Sequence, residues 1–436
     1  MKSVPIRAAP PAPNPGPDPE RARVDPRWRL ARLASAPHRL GFGAAALLFA
    51  LSALWWAGVI VARAAGWAPP WALPPPAAHG LLMSLGFMPL FIAGFAFTAG
   101  PRWLALPDTD PATLQWPVSM MVVGWLLAIA GFHLDQGLAA LGMACVSGGW
   151  SLLVWRLAAL LRASRAADKL HARLLVASCA VGAAVMMAAT VALTLGQTGW
   201  LAVLSRIALW AFVAPVFATV SHRMLPFFTA SALPGFSAWK PQALLWLMVG
   251  VLWLQAAMAL AWALLPELPA WLLGLNALAS GAMALLLLGV AVQWGLVQSL
   301  RIRLLAMLHA GFVWLGIALA LVAWDNGTRA LAWGEGLGLA PVHALSMGYL
   351  GCTLIAMITR VAAGHSGRAL VADDLAWALY WTAQAAVMLR VAAALWPLAA
   401  PALALAAATA WAAAALAWAL RYGGWMGRPR TDGRPG

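Results

Sequence analysis

Long apolar stretches recur along the chain, separated by short segments where arginine, proline, aspartate and glycine collect. A helix needs about 20 apolar residues to cross a bilayer. Twelve stretches have that length, at roughly 40–62, 78–99, 114–132, 137–161, 172–195, 199–221, 241–264, 269–293, 303–323, 338–360, 373–395 and 398–421. Within them the apolar positions run on continuously instead of alternating, and Ala, Leu and Trp dominate. That pattern predicts helices, because a spanning segment must satisfy its backbone internally. The expected fold is therefore an all-α polytopic membrane protein with about twelve transmembrane helices.

Composition narrows the class. The chain is 63% hydrophobic and 9% charged, whereas soluble domains run near 45–50% and 25%. An ordinary soluble enzyme or a disordered chain is excluded. Cys145, Cys179 and Cys352 lie in apolar stretches and form no CxxC or CxxCH motif, which argues against disulfides, thiolate metal sites and covalently attached haem. The formal net charge of +15 does not call for nucleic acid, because the cations sit in short loops and tails. With the N-terminus placed in the cytoplasm, 24 of the 28 Lys and Arg fall on that side. Arg63 and Arg329 alone fall on the other, and Arg206 and Arg390 lie inside spans. This bias predicts an N-in, C-in topology. Residues 1–39, with nine prolines, are expected to form a disordered basic tail. Residues 40–421 form the transmembrane domain, and residues 422–436 a second short basic tail. No apolar h-region precedes the first span, so no cleaved signal peptide is expected.

All thirteen Asp and Glu fall in tails, loops or span ends. Cation-coupled transporters usually carry carboxylates inside the membrane, so the chemistry here is expected from histidine and arginine. Neutral imidazole tolerates an apolar setting and ligates metals. His79 and His343 lie near the outer ends of the second and tenth spans, while His222, His309 and His365 lie toward the cytoplasmic side. His38, His133 and His171 read as loop or interface residues. At about 1.5 Å per residue, His309 and His343 stand too far apart along the membrane normal to share one metal. Arg206 and Arg390 lie at the depth of the outer pair with no carboxylate at that level, and haem propionates would supply the missing anion. Each could instead snorkel outward. His79 with Met83 and His343 with Met347 are spaced i, i+4, placing imidazole and thioether on one face, a donor set that suits copper.

Four stretches in order resemble the NnrS family of haem- and copper-containing membrane proteins. The first is His79-Gly-Leu-Leu-Met83-Ser-Leu-Gly86-Phe87, continuing to Pro101-Arg-Trp103. Next comes Arg223-Met-Leu-Pro226-Phe-Phe-Thr229, similar to the family's Pro-Phe-Phe-Thr turn. The third is Leu308-His309-Ala-Gly311-Phe312-Val-Trp314. The fourth runs from His343-Ala-Leu-Ser-Met-Gly348 through Thr359-Arg360 to Gly364-His365-Ser-Gly367-Arg368. The resemblance implies a role in nitric oxide metabolism or resistance to nitrosative stress, with non-covalent b-type haem and room for copper. It implies His79, His309, His343 and His365 as metal ligands, with Arg223, Arg360 and Arg368 as accompanying cations. Where the family carries a second histidine and a glutamate after the first, this chain has Leu81 and Leu82.

Two functional classes are in play. The leading one is a haem-binding protein gripped by His79 and His343, with Arg206 and Arg390 on the propionates and nitric oxide as a ligand. The other is a transporter or facilitator whose intramembrane His and Arg line a polar pathway. A haem–copper reductase fits poorly, since no helix carries adjacent histidines. Histidines can also serve simply as hydrogen-bonding contacts between helices.

Overall fold

The computed structural model describes residues 25–433 and is helical throughout, with no strand among them. Twelve helices are long and apolar enough to cross a membrane. They are α1 (Pro37–Ala64), α2 (Pro75–Trp103), α3 (Ala112–Leu134), α4 (Gln136–Ala163), α5 (Leu170–Thr194), α6 (Trp200–Ala232), α7 (Gln242–Leu264), α8 (Ala270–Gln293), α9 (Arg303–Ala330), α10 (Ala340–His365), α11 (Asp374–Leu395) and α12 (Ala400–Met426). Sequential helices pack as antiparallel neighbours, most extensively α3 with α4, α8 with α9 and α11 with α12. The first helix packs on α2 and on α12, which closes the bundle.

Burial separates a centre from a rim. The most apolar windows of α2, α6, α9 and α10 are 67–83% buried, against 33–50% for the other eight helices. These four central helices carry the four sequence motifs. Twelve spans among the described residues place Pro37 and Met426 at one face, here called the termini face. Arg39 fastens them there, donating to the carbonyls of Met426 (2.9 Å) and Arg428 (2.8 Å). The opposite face is the far face.

Several boundaries differ from the expected ones. The second helix breaks at Gly86–Phe87, because Pro89 lacks the N–H that would bond Leu85 and continue the ladder. The sixth runs on through Pro226 to Ala232, so the Pro-Phe-Phe-Thr segment is helical and not a turn. The ninth continues about two turns past residue 323 to Ala330, which places Asp325, Asn326 and Arg329 on a helix. Their polarity suggested a loop, but they line a cavity instead. At the ends, residues 1–24 of the expected tail lie outside the described residues. Leu30–Ser35 form a short 3-10 helix, and α12 extends through a π-helical stretch, Ala419–Gly423, to Met426.

Candidate functional site

Most motif residues interlock the central helices at the termini face. Arg223 on α6 lies 4.8 Å over the Trp103 ring of α2, and Arg360 on α10 lies 4.1 Å over Phe228 of α6. Arg368 stacks 4.3 Å over Trp425. Cations over aromatic faces are favourable where water is scarce. The motif glycines bring helices together. A Cβ on Gly311 would meet Thr353 Oγ1 at 2.6 Å, and one on Gly348 would meet the Trp314 indole at 2.6 Å. The Trp314 indole N–H donates to Gln384 (2.8 Å), whose amide donates to the Tyr380 hydroxyl (2.8 Å); that hydroxyl donates to the Met307 carbonyl (2.6 Å). This chain fixes α11 against α9 just before His309.

The histidines divide by what their nitrogens do. On α9, His309 is fully buried and its Nε2 meets Thr229 Oγ1 at 3.0 Å. The threonine hydroxyl spends its proton on the Leu225 carbonyl, so Nε2 carries the imidazole proton and Nδ1 is a bare, sealed lone pair. His222 Nε2–H donates to the Pro241 carbonyl (3.0 Å), and its Nδ1 accepts from His171 Nε2 (3.1 Å). Trp55 donates to His133 Nε2 (2.9 Å), and His133 Nδ1 donates to Pro70 O (3.0 Å). His365 stacks on His38, centroids 4.0 Å apart, with Arg39, Arg102 and Arg430 in electrostatic range. The partnership of His38 with His365 was not legible in the sequence, where position 38 reads as an interface residue.

At the far face the pattern changes. His79, in the first turns of α2, stacks at 3.9 Å on Trp56 of α1. Its Nδ1 is buried without a partner. His343, in the first turn of α10, donates its Nδ1–H to Leu339 O at 2.9 Å. That bond fixes the tautomer and leaves Nε2 as a lone pair, the usual arrangement of a metal-bound imidazole. The two imidazoles interact electrostatically, and the charge of Arg390 acts on both. The Arg390 guanidinium makes no hydrogen bond or ion pair with another described residue. Directly after His343, α10 winds as a π-helix over Ala344–Gly351, and α6 does so over Ala208–Val213, directly after Arg206 and Ile207. Such stretches frequently mark functional sites.

Arg206 takes a different place from Arg390. It lines a cavity of about 450 Å³ between α6, α7, α8, α9 and the start of α10. Among the described residues, no three His, Cys, Asp or Glu side chains converge as a metal site. A metal held by these histidines would therefore need further ligands from elsewhere, which a porphyrin would supply through its own nitrogens. The donor set at the far face fits a haem: one imidazole with its lone pair set by a backbone bond, a second with an orphaned nitrogen, and an Arg390 guanidinium with no hydrogen bond or ion pair of its own. Bound there, haem would supply redox chemistry and an iron able to take a diatomic ligand.

A comparison with curated proteins finds no match. The family model described as NnrS protein matches residues 32–430, nearly the whole chain, so this chain belongs to the NnrS family.

Proposed function

We propose that this polytopic membrane protein binds b-type haem between α2 and α10 and serves nitric oxide metabolism or resistance to nitrosative stress in a bacterial inner membrane. In this reading His79 and His343 would hold the haem iron, and Arg390 would pair with a propionate. His309 and His365 are further metal-ligand candidates, with copper the second metal that imidazole and the Met83 and Met347 thioethers would suit. The termini face is cytoplasmic, as the Lys and Arg bias requires. The observation that supports this most lies at the far face, on two separate central helices: His343 gives its Nδ1–H to the Leu339 carbonyl and keeps Nε2 as a lone pair, and His79 Nδ1 is buried without a partner. The visible spectrum of protein expressed with haem supplied tests it. A Soret band that is present in the wild type and lost in both His79→Ala and His343→Ala is expected. No Soret band in the wild type, or an unchanged band in both variants, would overturn it. The Arg206 cavity gives a facilitator reading some footing, and counterflow in proteoliposomes of haem-free protein would favour that reading.

A further inference from the structure

The far-face cavity holds charge that its own walls do not balance. Asp325 is engaged twice, by the Arg329 guanidinium at 3.4 Å and by the Leu337 backbone N–H. Gln255 and Asn276 exchange two amide hydrogen bonds (2.9 and 3.2 Å), and Gln255 gives its remaining N–H to Ser280 (3.1 Å). Asn326 spends one N–H on the Val322 carbonyl (2.9 Å). Arg206 alone among the charged side chains there has no hydrogen bond or ion pair. It sits six residues into α6, about 9 Å below the helix end. Its side chain is exposed and lines the cavity, so the guanidinium is open to an anion arriving from water. The amides keep donors to spare, since Asn276 and Asn326 each have a second N–H with no bond to the protein.

From these observations we infer that the cavity is a binding site for a small planar oxyanion, held bidentately by Arg206 and seconded by the free amide N–H groups of Asn276 and Asn326. A guanidinium presents two parallel donors that match such an anion. The walls supply donors and a net positive charge, while the one carboxylate is tied down. The cavity reaches Leu339, whose carbonyl receives the His343 N–H, so a bound anion would lie one turn from that imidazole. The inference does not rest on haem, because neither the charge count nor the hydrogen bonds involve the cofactor.

The test uses the full chain in phosphatidylcholine nanodiscs with nitrate as the probe. Ionic strength is held constant with chloride, a spherical anion that offers the fork no pair of oxygens. Nitrate should raise the unfolding midpoint saturably. Arg206→Gln should weaken the apparent affinity at least tenfold, and Arg206→Lys, which keeps charge without the fork, by several-fold. Arg63→Gln, an exposed far-face arginine, should change nothing. If Arg206→Gln fails to fold, Asn326→Leu serves, with a smaller loss expected. A wild type with no saturable response, or an Arg206→Gln response equal to the wild type's, overturns the site. A nitrate response abolished by phosphatidylglycerol in the discs assigns the guanidinium to lipid phosphate and overturns the free anion. Loss of the Soret band in Arg206→Gln with nitrate binding intact would place Arg206 on the cofactor and overturn it as well.

Discussion

His171 with His222 and His79 with His343 are both pairs of imidazoles from separate helices, yet they are built for different ends. In the first pair three of four ring nitrogens are committed, and the bonds run in one direction to end on a backbone carbonyl. In the second, one nitrogen is bonded to backbone and the other three have no hydrogen bond to a described residue. The first arrangement holds α5, α6 and the chain before α7 together. The second leaves ring nitrogens unspent on two of the most buried helices. A histidine pair becomes a candidate ligand set through what its nitrogens lack, not through proximity alone.

That contrast can be broken most sharply by haem content. His343→Ala and His79→Ala should lose most of the Soret absorbance, while His171→Ala and His222→Ala should keep it; equal loss in all four would erase the distinction. Stability should invert the order. His222→Ala strands the buried His171 Nε2–H and the Pro241 carbonyl, so thermal melts should show a loss of about 1–3 kcal/mol with the visible spectrum retained. Gly348→Ala sharpens the role of packing behind the far-face site. Its Cβ would press on Trp314 one turn after His343, at a cost of about 1–3 kcal/mol by overpacking. Chemical denaturation with the spectrum followed in parallel would show whether the haem environment shifts too.

The smallest effect lies in the exposed loop before α11. Asp373 accepts from Arg421 (2.5 Å) and caps α11 by accepting from the Ala376 N–H (3.0 Å). The Arg421 hydrogen bond holds its carboxyl below the usual carboxylate range. A lowered pKa means a contribution that is present above the ordinary carboxylate range and lost as pH falls through the folded-state value. Asp373→Asn should therefore lower the melting temperature slightly at neutral pH and not at all in strong acid. Since the pair is largely exposed, the effect should stay within about 1 kcal/mol. Melts across pH that show no convergence of variant and wild type would refute the assignment.

Span number, span order and depth were legible in the sequence because each depends on distance along the chain. Twelve apolar runs gave twelve helices, and a count of residues from a span end put His79 and His343 at one level. Azimuth was not legible. Arg206 and Arg390 share a depth and look equivalent in the sequence, yet Arg206 lines the cavity and Arg390 does not. The contact between His38 and His365 joins positions more than 300 residues apart, beyond any local pattern. The break in α2 and the extension of α9 were missed for a related reason. Apolar continuity hides a missing N–H at Pro89, and polar side chains such as Asn326 signal exposure to water whether that water is bulk or inside a cavity.

The contact of α1 with α12 has a consequence for biogenesis. Helix α1 is made well before α12, so it finds one of its main neighbours only when α12 has been inserted. Until then a face of α1 must stay against lipid or an insertase, and the cation clasp of Arg39 on the carbonyls of Met426 and Arg428 can close only after residues 426–428 have left the ribosome. Chains truncated before α12 should leave that seam open and be favoured substrates for membrane quality-control proteases.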